Sequence, residues 1–300
     1  MKVGGPERLV HYTPLRYPGG KGKLASYVKS IIELNNLGDC DYVEPYAGGA
    51  GIALELLFHE YAARIHINDI SRSIYCFWDA VLNNTETLIK RIRDIPVSVA
   101  SWDQQKLVLL NPQNYDRSDI AFSTFFLNRT NRSGILNGGI IGGREQNGPW
   151  KIDARYNSKE LIRRIESIAA FRGRISLSRL DAKVFLAQSA KTLAPNTLIY
   201  LDPPYYAKGK DLYYDYYGHD DHAAVAETVR SRIKKQSWIV SYDNVEPIRR
   251  MYAGYPSREY TLGYSARDAR RGNEIMFFAE SLTIPNLGGV MKQIAHTERN

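Results

Sequence analysis

Asp202-Pro203-Pro204-Tyr205 directly follows the apolar run Thr197-Leu198-Ile199-Tyr200-Leu201. Two prolines fix an extended backbone and remove two N–H donors, so the neighbouring carbonyls stay free to accept hydrogen bonds. A carboxylate and a carbonyl side by side suit an amino group with two N–H donors, and Tyr205 offers an aromatic face to a planar base. An exocyclic amine such as that of adenine is a poor nucleophile, because its lone pair is delocalised into the ring. Hydrogen bonds from its N–H groups to Asp202 and the Pro203 carbonyl would shift the nitrogen toward sp3 while a sulfonium methyl is held in line. That is positioning and electrostatics with no covalent intermediate. Attack at cytosine C5 needs a thiol instead, and neither Cys40 nor Cys76 lies in such a strand-end, proline-rich setting.

A second constellation suits a nucleoside cofactor. The apolar run Asp41 to Val43 enters Glu44-Pro45-Tyr46-Ala47-Gly48-Gly49-Ala50-Gly51, and Ile52 to Phe58 is apolar at helical density. The pattern predicts strand, glycine turn and helix, with Gly48 and Gly49 letting a ligand approach the backbone and the helix N-terminus. The alternating run Arg64 to Asn68 ends at Asp69, 25 residues after Glu44, near the spacing at which an acidic residue reaches ribose hydroxyls. The glycines do not form G-x-G-x-x-G, so no pyrophosphate is required. Upstream, Pro18-Gly19-Gly20-Lys21-Gly22-Lys23 is similar to a phosphate loop but is followed by Leu24 where that motif carries Ser or Thr. A nucleotide triphosphatase is therefore not expected. The same glycines suit delivery of Lys21 to a carboxylate or phosphate, with Tyr17 as a stacking face.

The elements that must position these residues alternate. Ser71 to Leu82 predicts a helix with Ser71 as N-cap, Ala223 to Lys235 another helix, and Trp238 to Ser241 a strand. Alternating strands and helices argue for an α/β fold whose parallel sheet is covered on both faces. Between these halves, Ser118 to Asn128 and Leu161 to Phe171 have helical spacing, while Arg129 to Tyr156 is dense in Gly, Asn, Arg and Ser, as a functional excursion would be. His219-Asp220-Asp221-His222 is read as the approach to a helix beginning near Ala223, with an Asp as N-cap, and no metal is expected. The tyrosine-dense stretch from Tyr205 to Tyr217 suits a cover over a base. The tail after Pro285 carries little periodicity and is expected to be a loosely held extension.

Charge singles out a partner. Lys and Arg outnumber Asp and Glu by 40 to 32 in 300 residues, and the stretch 115–180 holds twelve basic against six acidic residues, +6 of the net +8. A basic excess gathered in one segment points to a polyanion such as nucleic acid. Arg267, Arg270, Arg271, Lys292 and Arg299 form a second basic group near the C-terminus. With 24% charged residues and a mean hydropathy of −0.38, no run approaches the length of a membrane span. Met1 to Pro14 has no apolar export region, and two cysteines suit a reducing cytosol. A cytoplasmic protein of prokaryotic or phage origin is expected.

Taken in order, Leu15-Arg16-Tyr17-Pro18-Gly19-Gly20-Lys21, Glu44 to Gly49, Asn68-Asp69, Leu127-Asn128-Arg129, Asp202 to Tyr205 and Gly272-Asn273-Glu274 resemble the Dam-like, D12-class DNA adenine-N6 methyltransferases. The resemblance covers most of the chain and implies a Rossmann-like, S-adenosylmethionine-dependent methyltransferase sheet with an inserted DNA-recognition region. It implies that Tyr17 and Lys21 contact S-adenosylmethionine, that Glu44 lies under its methionine end, that Asp69 binds the ribose and that Asp181 meets the adenine ring. Asp202 would border both cofactor and target, and Asp202, Pro203, Pro204 and Tyr205 would hold a base flipped out of duplex DNA, since its amine is inaccessible inside the stack. The expected organisation is a catalytic domain over 1–114 and 181–285, a recognition insertion over 115–180 and an extension over 286–300. Arg129, Arg132, Asn137, Arg144, Lys151 and Arg155 are the candidate DNA contacts. The segment Thr130 to Asn137 departs from the aromatic and basic pattern of members that read GATC, so that specificity is not transferred. Methylation of an amino group in RNA or a protein amide, and a DNA-binding protein that holds the cofactor without turnover, are the competing readings.

Overall fold

A computed structural model describes residues 12–16, 24–207, 217–262, 273–288 and 291–293. Tyr17, Lys21, Gly272, Arg267, Arg270, Arg271 and Arg299 lie outside the described residues, as does the side chain of Lys292.

The chain runs α1 (Ala25–Leu34), β1 (Cys40–Glu44), α2 (Gly51–Phe58), β2 (Ala62–Asn68), α3 (Arg72–Asn83), α4 (Thr85–Asp94), α5 (Val99–Leu110), α6 (Arg117–Thr130), α7 (Ser158–Ala170), β3 (Ile175–Ser178), α8 (Ala182–Ser189) and β4 (Thr197–Leu201). It continues with α9 (His219–Arg232), β5 (Ser237–Asp243), α10 (Glu246–Met251), β6 (Ser257–Leu262), β7 (Glu274–Phe278) and β8 (Met291–Gln293). One sheet of eight strands has the order β3-β2-β1-β4-β5-β7-β6-β8. The first five strands are parallel, and β7, β6 and β8 join by antiparallel pairing. β4 is buried along its whole length, which is why its sequence is a continuous apolar run with no alternation. This is the Rossmann-like α/β architecture.

The order reverses between β1 and β4. Crossovers from β1 lead outward to β2 and β3, and the chain then returns beside β1 to build β4 and β5. Ligands of doubly wound sheets settle outside the carboxyl ends of the strands at such a switch point, because the flanking loops diverge there and leave a crevice. Glu44 ends β1, and Asp202 follows β4.

Three expectations need correction. The segment 115–180 is not a separate insertion: its last strand, β3, pairs with β2 from Ile65↔Ile175 to Asn68↔Ser178. Phe122, Phe125 and Phe126 of α6 and Leu161, Ile165 and Ile168 of α7 belong to the common core, with Phe125 stacked on Phe77 of α3 at 6.1 Å. Only the irregular stretch between α6 and α7 leaves it. The tail is not merely a loose extension, since β8 pairs with β6. Ser71 stands at the N-cap of α3, but its side chain makes no capping bond; the Asp69 carboxylate accepts the Ser71 N–H at 2.9 Å instead. Among the described residues, no helix is long and apolar enough to cross a membrane.

Candidate active site

Period-two alternation builds the site from the strands upward. Tyr42 and Glu44 on β1, Tyr200 on β4 with Asp202 beyond it, and Ser241 and Asp243 on β5 share one face of the sheet, because Tyr42 pairs with Leu198 and Tyr200 with Ile239. Their side chains make a buried polar row under the crevice. Tyr42 donates its hydroxyl to Glu44 Oε1 at 3.1 Å, and the Ala53 N–H in the first turn of α2 donates to the same oxygen at 3.1 Å. Ser241 Oγ donates to Asp202 Oδ1 at 2.8 Å and lies 2.9 Å from the Tyr200 hydroxyl. Ser241 is fully buried, so this bond sets the direction of the Asp202 carboxylate.

Glu44 is 5% exposed, and both of those donors are neutral. Burial, with the Asp202 charge nearby, pushes its carboxyl up to about 8. A cationic group next to it would favour the ionised form.

The glycine turn is held open by two tethers. Asp69 Oδ2 accepts the Gly48 N–H at 2.9 Å, and Trp78 Nε1 donates to the Gly48 carbonyl at 2.9 Å. Gly48 takes φ +47°, a conformation that suits glycine, and Ala50 takes the same left-handed region as the N-cap of α2. Asn68 closes the third side: its Nδ2 donates to the Pro45 and Leu180 carbonyls, both at 3.0 Å, and its Oδ1 accepts the Leu180 N–H at 2.9 Å and the Ser178 hydroxyl at 2.8 Å. This buried amide ties the loop after β1 to the loop after β3. Asp181 caps α8, accepting the Lys183 N–H at 2.9 Å. Ile70 and Val184, 48% and 45% exposed, stand beside Asp69 and Asp181 in the chain.

The backbone leaving Tyr205 is fixed by a residue the sequence reading missed. Asp243 at the end of β5 accepts the N–H groups of Tyr206 at 2.9 Å and Ala207 at 2.8 Å. Its signal was present as a polar position two residues after Ser241 in an otherwise apolar strand. His222 also acts here. It lies in the first turn of α9, which begins at His219 rather than near Ala223, and the cap comes from Asp221 at the third helical position, whose Oδ2 accepts the Gly218 N–H at 3.0 Å. His222 is fully buried among Tyr206, Tyr217 and Tyr242, with Nδ1 at 3.0 Å from the Tyr242 hydroxyl, and burial lowers its pKa. Tyr46 and Tyr217 meet across the crevice with hydroxyls 3.3 Å apart.

Asn128 explains the motif Leu127-Asn128-Arg129. Its Oδ1 accepts the Arg16 N–H at 2.6 Å, and its Nδ2 donates to the Arg16 carbonyl at 2.8 Å and the Gly134 carbonyl at 2.9 Å. Gly134 has φ +76°, and a Cβ there would lie 2.4 Å from the Arg16 carbonyl oxygen. The segment entering Tyr17 is thereby clamped to the end of α6.

The candidate DNA contacts fall into different settings. Arg129 is half-buried and donates Nε to the Arg155 carbonyl at 2.7 Å. Burial and the charges of Arg16, Arg164 and Arg155 hold its guanidinium down at about 9. Arg144 is paired through two bonds, at 2.8 and 2.9 Å, with Asp103. Lys151 donates to the Gln146 carbonyl. Arg132, Asn137 and Arg155 are exposed.

The strand-end carboxylates gathered at the switch point of this Rossmann-like sheet mark the candidate site. The model of the D12 class N6 adenine-specific DNA methyltransferases matches residues 17–263, and the chain belongs to this family of adenine-specific DNA methyltransferases. It is 23% identical over 269 residues to the type II methyltransferase M.MjaIII of Methanocaldococcus jannaschii, covering 80% of this chain and 88% of that protein. It is also 23% identical over 253 residues to the type II methyltransferase M.CviBI of Paramecium bursaria Chlorella virus NC1A, covering 79% and 87%. Among solved structures, an rRNA methyltransferase, aviRa, from Streptomyces viridochromogenes overlays with a TM-score of 0.39 and 13% identity, covering 91% of this chain and 92% of that one.

Proposed function

We propose that the protein transfers a methyl group from S-adenosylmethionine to the N6 amino group of an adenine within a specific duplex DNA sequence, after that base leaves the stack. The observation that carries this reading is the pairing of strand ends at the switch point: Glu44 closes β1, and Asp202 leaves β4 with its carboxylate aimed by Ser241.

S-adenosylmethionine supplies an electrophilic methyl on a cationic sulfur. Glu44 fits the cationic end of such a molecule, because burial opposes its ionisation and the Tyr42 hydroxyl and Ala53 N–H that donate to it carry no charge. Gly48 and Gly49 admit the ligand to the backbone, Asp69 receives the ribose hydroxyls, and Asp181 with the apolar faces of Ile70 and Val184 frames the purine. Tyr17 and Lys21 complete this half. In the other half, Asp202 and the Pro203 carbonyl accept the two N–H bonds of the target amine, and Tyr205 stacks on the base. The amine would take the methyl while still carrying both protons, the methyl–sulfur bond breaking with its electron pair kept by the departing neutral thioether. The excess proton would pass to solvent only after the nitrogen had become cationic, so Asp202 need not be a strong base.

Duplex DNA is gripped by the segment between α6 and α7, the recognition region in this reading. The charges of Arg155 in that segment, Arg164 on α7 and Arg16 near the N-terminus oppose that of Arg129 near the end of α6, and a phosphate oxygen among them would relieve that repulsion. The type II methyltransferases M.MjaIII and M.CviBI carry names that suit modification at defined sites.

The test is Asp202→Ala assayed for N6-methyladenine in DNA. Transfer is expected to vanish while DNA affinity stays within about threefold, and retained transfer would refute the assignment of Asp202. Modification-sensitive sequencing of DNA from an expressing host identifies base, position and motif together.

A further inference from the structure

Trp150 is 65% exposed, the most exposed of the large apolar side chains that stand out from the described surface. It sits in the recognition region, and its loop is built to hold still. Gln146 braces the loop from inside: its Nε2 donates to the Ile141 carbonyl at 2.8 Å and to the Gly143 carbonyl, and its Oε1 accepts the Ile152 N–H at 2.7 Å. Gly142, at φ +82°, packs so closely that a Cβ there would lie 2.4 Å from the Trp150 carbonyl oxygen. Ile140 and Ile152, 4% and 5% exposed, root the two arms in the protein, and the Ile141 N–H bonds the Thr130 carbonyl at the end of α6 at 2.9 Å. The ordered backbone therefore presents a ring that its own fold does not cover.

The surroundings of that ring are cationic. The Arg155 guanidinium lies 5.9 Å from its centroid, and the Arg155 carbonyl receives Arg129, the centre of the arginine cluster. An exposed aromatic ring with one guanidinium over it and further cationic charge close by suits a polyanion that also carries flat apolar surfaces, which is a nucleic acid. A preorganised side chain loses little freedom on stacking, so the contact is retained as affinity.

We infer that Trp150 stacks on a nucleobase of the bound DNA, as an aromatic wedge in the recognition region. The inference rests on the reading of the chain as a DNA methyltransferase and adds a contact that phosphate-directed arginines cannot make, one that depends on bases.

The test uses full-length protein, amplified duplex DNA free of modified bases, and inorganic polyphosphate as a polyanion without bases. The fluorescence difference between wild type and Trp150→Phe isolates Trp150: Trp78 and Trp238 are buried, and the half-buried Trp102, whose Nε1 is held by Asn131 Oδ1, is common to both proteins and cancels. DNA is expected to quench that signal and shield it from acrylamide, while polyphosphate leaves it accessible. Trp150→Ala should lower kcat/KM for DNA by about 5- to 150-fold, the range for removing one aromatic–base stack, with the KM for S-adenosylmethionine unchanged. Trp150→Phe should restore most of it, and the thermal midpoint should not move in either variant. Wild-type transfer to DNA with an unresponsive Trp150, equal quenching by polyphosphate, or an unaltered Trp150→Ala overturns the stacking contact alone. A wild-type protein that methylates nothing in amplified DNA and whose Trp150 ignores it overturns the parent reading as well.

Discussion

Asp243 and Tyr206 are 37 positions apart, yet the buried Asp243 carboxylate accepts the Tyr206 N–H at 2.9 Å, and its other oxygen takes the Ala207 N–H at 2.8 Å. The end of β5 thus dictates how the chain leaves Asp202 to Tyr205. Asp243→Asn keeps the shape but turns an N–H toward one of those two donors. A buried donor facing another donor costs about 1–3 kcal/mol. We expect kcat to fall at least about tenfold with little change in cofactor affinity, because the site beyond Tyr205 shifts while the glycine turn does not. Steady-state kinetics with calorimetric cofactor titration separate the two.

In the proposed reading, Glu44 makes cofactor binding depend on pH. Its carboxyl sits at about 8 against an ordinary 4.5, so folding takes up a proton between those values. The sign follows: without added cofactor, the stability that Glu44 contributes is full below about 4.5 and is lost as pH rises to about 8. A cationic ligand beside Glu44 draws that proton off, so affinity for S-adenosylmethionine should rise with pH up to about 8, by at most about tenfold per unit. Glu44→Gln should flatten both slopes. Calorimetry in buffers of different ionisation enthalpy measures the released proton directly.

Gly134 packs the segment after α6 directly against Arg16 of the N-terminal segment. Gly134→Ala places a methyl 2.4 Å from the Arg16 carbonyl oxygen at a left-handed φ of +76°, and backbone rather than a flexible side chain must yield. A cost of about 1–3 kcal/mol is expected, lowering the thermal midpoint by several degrees. Because Asn128 holds the same strand of chain that leads to Tyr17, cofactor affinity should weaken too.

The legible parts of this fold are those whose burial leaves one solution. β4 was readable because it is buried along its whole length, which forces an unbroken apolar run, and the strand–turn–helix at Glu44 because glycines separate a short strand from an apolar helix. The strand-end acids were readable one at a time, from their place after each strand. What joins them was not: Asn68 meets Leu180 across 112 positions, and only the β1–β2–β3 adjacency makes that amide a staple. The return strands were hidden for another reason. β8 is three residues long and draws its stability from the β6 edge, so it leaves no periodicity of its own. Charge could not separate the stretch 115–180 from the core, because it marks solvated helix faces as readily as contacts: α6 and α7 carry Arg117 and Arg163 outward and core residues inward.

The arginines of the recognition region should separate by their partners. Arg144 is held by Asp103 in a two-bond pair, both groups well exposed, so its charge is already matched. Arg155 is exposed and shares its surroundings with Arg16 and Arg129, where mutual repulsion awaits an anion. Removing one cation that neutralises a phosphate reduces the slope of log affinity against log salt by about 0.9. Arg155→Gln should therefore flatten that slope by about one and weaken DNA of every sequence alike. Arg144→Gln should leave the slope within about 0.3 of wild type. Asp103→Asn sharpens the comparison, since it frees the Arg144 charge and should steepen the slope rather than flatten it. Affinity titrations between about 50 and 200 mM salt resolve a change of one unit. Equal slopes for Arg155→Gln and Arg144→Gln would mean that the half-buried arginines, not the exposed one, meet the backbone.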